Sequence, residues 1–286
     1  MGENSKIQWT DMSWSPWIGC TKISAGCTNC YADELMTRKP RWANTWGPRG
    51  KRERTSESYW RKPLRWNARA AAENTRYRVF PSLCDPFDEH ESIKYEWRLD
   101  FHELIEATPH LDWLLLTKRP EKVMGLWPSR WHLLPNVWIG TSVENQETAN
   151  KRIPDLLQIP AHVRFLSCEP LLGPIELDLV PARFNDPEIH WIIVGGESGS
   201  NARPMDLEWA RDIVTQCKGA GVPVFVKQLG AWPYTSEAAN AEEIYDEYDD
   251  PRHRYRMYPD DKKGGNIDEW PRDLRVREFP QAEVPA

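Results

Sequence analysis

Short, unbroken runs of apolar residues recur along the chain, and each ends in polar residues or glycine. They lie at 17–20, 79–83, 113–117, 137–141, 163–167, 191–195 and 222–227. Continuous rather than alternating apolarity is typical of parallel strands that are buried on both faces. The pattern therefore predicts about six to seven parallel strands.

The segments between these runs have helical periodicity. In the segment 90–107 the apolar positions fall on one helical stripe, and the segment 206–218 repeats the pattern. Alternating strands and helices predict an α/β fold, a partial or complete TIM-like (βα) barrel over residues 1–230. We expect a basic insertion at 38–78, after the first strand, and an acidic, irregular extension at 231–286.

Polar or reactive residues follow each apolar run. In a parallel barrel the active site lies at the C-terminal ends of the strands, so these residues predict one functional mouth. In chain order they are Cys20, Cys27 and Cys30; Ser82, Cys84 and Asp85; Lys118 and Arg119; Thr141, Ser142 and Glu144; Glu169; Gly195, Gly196 and Glu197; and Lys227 and Gln228.

Three of the six cysteines, Cys20, Cys27 and Cys30, lie within eleven positions and have no nearby fourth partner. Clustered thiolates bind soft metals, and three of them leave one coordination position open. A closed structural zinc site needs four protein ligands. Such spacing in a chain of 286 residues indicates metal chemistry in a reducing compartment, so we expect a cytoplasmic protein. No apolar run is long enough to span a bilayer, and we expect no membrane association.

The formal net charge of −6 conceals a basic stretch. Residues 38–78 contain thirteen Lys and Arg against three Glu, with six interleaved Trp and Tyr. Cations beside aromatic rings suit contact with phosphates and exposed bases, which makes nucleic acid a candidate partner. The alternative is a solvated insertion whose tryptophans cover the side of the barrel.

The segments around the strand ends resemble one family. The six segments, in order, are GCTKISAGCTNCYA, LLLTKRPE, WIGTSVENQ, FLSCEPLLGPI, WIIVGGESG and VFVKQLG. They resemble the phage-encoded three-Cys-motif proteins, a radical-SAM-like family named for phage genes of unknown function. The cysteine loop also resembles that of the radical S-adenosylmethionine enzymes, with spore photoproduct lyase as a distant relative. Its spacing, C-x6-C-x2-C, departs from the C-x3-C-x2-C of most of those enzymes.

The resemblance implies a 4Fe-4S cluster held by the three cysteines, S-adenosyl-L-methionine on the fourth iron, and a reducing partner. Chain order then suggests the residues that contact the cofactor. These are Ser82, Asp85, Thr141, Ser142, Glu144, Gly195, Gly196 and Glu197. For the two glycines a tight turn is the alternative.

The remaining strand-end residues are candidates for catalysis or substrate binding. Cys84, Lys118 and Glu169 are the catalytic candidates, with Cys84 a hydrogen-atom donor, a further ligand or simply a buried thiol. Arg119, Lys227 and Gln228 would bind an anionic substrate group such as phosphate. Alternatively, the cations pair with strand-end glutamates.

Three functions follow from these observations. The first is a radical S-adenosylmethionine enzyme that modifies or repairs a nucleotide or nucleic acid. The second is a non-catalytic barrel with a structural zinc site. The third is a phosphate-handling barrel hydrolase or lyase that uses Lys118, Arg119 and Glu169.

Overall fold

The predicted α/β class is confirmed by the computed structural model, which describes residues 2–3, 5–127, 134–179, 188–235, 257 and 259–280. The chain forms two units. The first comprises Met1–Thr141 with Pro154–Arg164, and the second comprises Ser142–Ile153 with Phe165–Gln281. Among the described residues, no helix is long and apolar enough to cross a membrane.

The sheet of the first unit is mostly parallel. The strands of this part of the chain are β1 (Gly2–Glu3), β2 (Met12–Trp14), β3 (Trp17–Ile18), β4 (Glu53–Arg54), β5 (Tyr77–Pro81), β6 (Leu111–Thr117) and β7 (Val137–Ser142). The order in the sheet is β1-β2-β5-β6-β7, in which only β1 is antiparallel to its neighbour. Strands β3 and β4 form a separate antiparallel pair.

Five helices accompany these strands along the chain. They are α1 (Tyr31–Thr37), α2 (Glu57–Trp60), α3 (Lys62–Ala72), α4 (Tyr95–Glu106) and α5 (Val123–Leu126). Helix α6 (Gln146–Leu157) begins in the second unit and ends in the first. The stripe predicted in 90–107 is the buried face of α4, where the ring of Phe101 lies 5.4 Å from that of Trp14 and 5.3 Å from that of Trp113. Aromatic packing against α4 therefore holds β2 and β6 in the first unit.

The second unit repeats the parallel pattern with β8 (Val163–Cys168), β9 (Trp191–Gly195) and β11 (Val224–Gln228). Helix α7 (Leu207–Ala220) buries the apolar stripe predicted in 206–218, and two short strands, β10 (Met205–Asp206) and β12 (Pro233–Tyr234), pair in parallel. Residues 276–278 run beside β11, where Val226 N donates to Val276 O at 2.9 Å. The predicted boundary at residue 230 stays a prediction, and residues 236–256 of the extension lie outside the described residues.

Four parallel strands in the first unit and three in the second, among the described residues, agree with the six to seven parallel strands expected. The first apolar run differs from the prediction. Residues Trp17–Ile18 form β3 outside the main sheet, and the sheet strand is β2 instead. A three-residue strand is too short to show a period in the sequence.

The segment 38–78 is built into the first unit. It contributes β4, α2 and α3, and its Trp60 and Trp66 are buried. Trp42 and Trp46 pack against a buried cluster that includes Ile18 and Met36. These tryptophans cover the core, and the nucleic-acid contact stays a prediction.

Candidate functional site

The three clustered cysteines lie on one loop of the first unit that follows β3. Gly19 bridges to Cys84 in parallel fashion, so Cys20 leaves the bridge beside the end of β5. Cys27 ends a short 3-10 turn, and Cys30 is the residue immediately before α1. All three are free thiols of intermediate exposure.

Hydrogen bonds close this loop on itself and on its neighbours. Lys22 Nζ donates to Thr28 O at 3.0 Å and pairs with Asp33 Oδ2 at 2.9 Å. Gly47 N donates to Cys20 O at 3.0 Å. Within the described chain, no three His, Cys, Asp or Glu side chains are already grouped around one metal position.

Two cations that follow β6 lie near the cysteines. Arg119 Nη1 is 3.8 Å from Cys20 Sγ, and Lys118 is close enough to interact electrostatically with Cys30. The sequence predicts that both face the mouth, Lys118 as a catalytic residue and Arg119 as a substrate-binding residue, and these roles stay predictions. Arg119 contacts the cysteine loop, since Nη2 also donates to Thr21 O at 2.6 Å.

The charge balance at this loop is set by burial. Burial, with Asp85 adding to its effect, raises the pKa of the Cys20 thiol, and burial likewise raises the pKa of Cys30. Burial also opposes the charge on Arg119, but Asp85, Cys20 and Asp88 together outweigh it and raise the arginine's pKa. The guanidinium of Arg119, which stays charged, therefore lies beside the sulfur of Cys20, whose thiolate form is disfavoured by burial and would be stabilised by a nearby positive charge.

Asp85, a predicted cofactor contact, is occupied by protein groups. Its carboxylate accepts from Thr117 Oγ1 at 2.7 Å, Phe87 N at 2.9 Å and Arg119 Nη1 at 2.8 Å. A carboxylate held by this many donors is suited to orienting the guanidinium. In this environment Asp85 anchors Arg119.

The other strand-end residues of the first unit lie close to these groups. Ser82 O accepts from Tyr31 OH at 2.9 Å, at the first residue of α1. Thr141 is fully buried, and its hydroxyl donates to Thr117 O at 3.0 Å. Burial raises the pKa of Cys84 well above the usual value for a thiol. These contacts are structural, and the cofactor and catalytic roles of Ser82, Thr141 and Cys84 stay predictions.

Sequence inspection missed two residues at this site, Arg52 and Asp88. Arg52 Nε donates to Asp88 Oδ2 at 2.8 Å, and the side chains are 0% and 4% exposed. Arg52 Nη2 also bonds Thr21 Oγ1 on the cysteine loop. No signal in the sequence distinguishes this arginine from its basic neighbours.

A second set of predicted residues meets in the second unit. Lys227 Nζ pairs with Glu169 Oε1 at 2.6 Å, and Ser167 Oγ approaches Glu169 Oε2 at 3.4 Å. A Cβ on Gly195 would lie 3.0 Å from Glu169 Oε1, so the glycine leaves room for the carboxylate. Lys227 therefore pairs with a strand-end glutamate, as the alternative to binding an anionic substrate group predicts.

Two further glutamates of this unit are buried and form ion pairs with arginines. Glu144 Oε2 accepts from Arg152 Nη1 at 2.9 Å, and the same guanidinium bonds Ser142 O. Glu197 accepts from Arg203 through Nε at 2.9 Å and Nη2 at 2.7 Å. The cofactor roles of Ser142, Glu144 and Glu197 stay predictions, since each of these contacts is internal to the protein.

Gly196 has a packing role. A Cβ there would lie 2.3 Å from Leu229 O, a contact that backbone atoms cannot relieve. Gln228 O accepts from Gly196 N at 3.0 Å, and Gln228 Nε2 donates to Gly196 O at 2.8 Å. The glycine is thus required for close approach of two backbone segments, and both its cofactor role and the tight-turn alternative stay predictions.

Fold and site define an α/β protein of mostly parallel strands that carries three free thiols on a loop braced by buried arginines. The chain belongs to the family described as "Protein of unknown function (DUF5131)", whose model matches residues 4–259. Neither a curated protein nor a solved structure matches it.

Proposed function

We propose that the protein is a radical S-adenosylmethionine enzyme in which Cys20, Cys27 and Cys30 hold a 4Fe-4S cluster. The observation that carries the proposal is three free thiols on one eleven-residue loop, with cations placed beside two of them. Three thiolates leave one iron open to a small molecule. When bound, the cluster and S-adenosyl-L-methionine supply a 5′-deoxyadenosyl radical, with the electron coming from a reducing partner.

The protein's own residues would prepare and shield this site. Arg119 and Lys118 compensate negative charge on the thiolates, while Gly47 N and Lys22 fix the path of the loop. A reactive radical must be kept from water, and a partial barrel offers such shelter.

Metal content tests the proposal directly. Anaerobic reconstitution should load about four irons and four sulfides per chain, and replacing any one of the three loop cysteines by Ala should abolish loading. The matched control is Cys217→Ala, because Cys217 is a buried thiol on α7. Full iron in each single loop variant would refute the cluster. A colourless protein with stoichiometric zinc would favour the structural zinc alternative.

The open iron is tested separately. Adding S-adenosyl-L-methionine should change the electron paramagnetic resonance signal of the reduced cluster, and dithionite should then drive formation of 5′-deoxyadenosine. Stoichiometric iron without either effect would indicate an electron-transfer or structural cluster.

For the substrate we propose a nucleotide unit in a nucleic acid. Support comes from four exposed cations of segment 38–78 that make neither an ion pair nor a cation–π contact within the described ranges: Arg49, Lys51, Arg61 and Arg65. Arg61 and Arg65 are four residues apart at the start of α3, so they project from neighbouring turns. Exposed cations can neutralise phosphates, whereas paired ones would first have to break their ion pairs.

A further inference from the structure

A buried network of four charges lies under the cysteine loop. Arg119 pairs with Asp85 at 2.8 Å and with Asp88 Oδ1 at 3.5 Å, and Arg52 pairs with Asp88 Oδ2 at 2.6 Å. The four side chains are between 0% and 9% exposed. Two guanidinium groups and two carboxylates leave the network neutral as a whole.

Both arginines use their remaining donors on the cysteine loop and on the segment that packs against it. Arg119 reaches Cys20 Sγ at 3.8 Å and Thr21 O at 2.6 Å. Arg52 bonds Thr21 Oγ1 and also donates to the carbonyls of Thr45 at 3.1 Å and Gly47 at 2.9 Å. Thr21, directly after the first cysteine, is thus hydrogen-bonded by both arginines.

We propose that Arg119 is a positioning residue that sets the reduction potential of a cluster bound at the cysteine loop, with Asp85 and Asp88 holding its charge in place. This inference rests on the proposed function. Hydrogen bonds to ligand sulfurs and nearby charge are the means by which proteins tune iron-sulfur potentials. Because reduction adds a negative charge, a guanidinium beside the Cys20 sulfur stabilises the reduced cluster more than the oxidised one.

A merely structural network would behave differently. Loss of any member would then reduce stability or cluster loading, but the potential would not follow the sign of the charge removed. Two variants of opposite sign separate the roles. Arg119→Gln leaves the network with a net negative charge, and Asp88→Asn leaves it with a net positive charge.

The experiment is a redox titration of anaerobically loaded full-length protein, followed by electron paramagnetic resonance, with iron and sulfide counted for each sample. Arg119→Gln should make the midpoint more negative by about 59 mV or more, a tenfold change for one electron. Asp88→Asn should move it in the opposite direction. The control is Arg76→Gln, because Arg76 pairs with the buried Asp112 at 2.7 Å and has no contact with the loop.

Each outcome decides the matter. Opposite shifts in the two variants, with the control unchanged, support the inference. Unchanged midpoints in fully loaded variants, shifts of the same sign, or loss of the cluster from both variants overturn it. If only Arg119→Gln fails to load, the direction of the Asp88→Asn shift decides. A wild type that binds no iron-sulfur cluster overturns the proposed function as well, whereas a loaded wild type with unresponsive variants overturns this inference alone.

Discussion

Replacing Arg52 by Ala should destabilise the protein strongly, although the residue lies in a basic stretch of sequence that is typical of an exposed surface. Its side chain is 0% exposed and is the partner of Asp88, itself 4% exposed. Removing one member of a buried ion pair costs about 3–5 kcal/mol when the other charge stays buried without that partner. Asp88 would lose its 2.6 Å contact with Arg52 and keep the longer one with Arg119, at 3.5 Å. The carbonyls of Thr45 and Gly47 also lose a donor. We therefore expect the free energy of unfolding to fall by at least about 3 kcal/mol.

Urea unfolding followed by circular dichroism measures this loss. Arg52→Lys should fall between wild type and Arg52→Ala, since an ammonium group keeps the charge but cannot reproduce the planar fork of donors. The matched control is Arg41→Ala. Arg41 is 66% exposed and pairs with Glu53 at 3.3 Å, so its loss should cost less than about 1 kcal/mol. An Arg52→Ala protein within about 1 kcal/mol of wild type would refute the assigned bracing role.

Three further predictions concern other parts of the chain. Gly196→Ala should cost about 1–3 kcal/mol in urea unfolding because its Cβ would lie 2.3 Å from Leu229 O, whereas Gly219→Ala on α7 meets nothing within 4 Å and should cost nothing; equal losses would contradict this. Affinity for DNA should fall steeply as the salt concentration rises, because bound phosphates displace counterions. Replacing Arg49, Lys51, Arg61 and Arg65 together by Ser should make this dependence less steep, and an unchanged slope would contradict the proposal that these four residues bind DNA. Burial raises the pKa of Cys217 to about 12 and that of Cys168 well above the usual value, so iodoacetamide at pH 8 should label both far more slowly in folded than in urea-unfolded protein; equal rates by mass spectrometry would contradict their burial.

The parallel strands and the two long amphipathic helices could be predicted because the apolar pattern of each lies within one short stretch of sequence. Strands β6, β7 and β9 are buried on both faces, so their sequences are continuously apolar. Strand β2 could not be predicted in this way. Its three residues are stabilised by aromatic partners distant in the chain, such as Phe101 and Trp113, and no local period records such contacts.

The thiol cluster was also predictable, because its residues are close in the sequence. The groups that brace it were not. Arg52 and Asp88 are 36 residues apart, and Arg119 and Cys20 are 99 residues apart. The sequence indicates that a cation follows β6, but only the fold decides whether that cation faces solvent or a thiol.

In the basic segment 38–78, the sequence alone also misleads, because it does not show which of the cations are paired in the folded protein. Of its thirteen cations, seven form ion pairs with residues of the described chain, and the acidic partners of most lie outside the segment: Glu3, Asp11, Glu34, Asp88, Asp100 and Asp112. A local excess of charge therefore overstates the positive surface, because folding brings distant carboxylates to it. What remains for a polyanion is the smaller exposed set, of which Arg61 and Arg65 lie at the start of α3, and any nucleic-acid contact should be correspondingly confined.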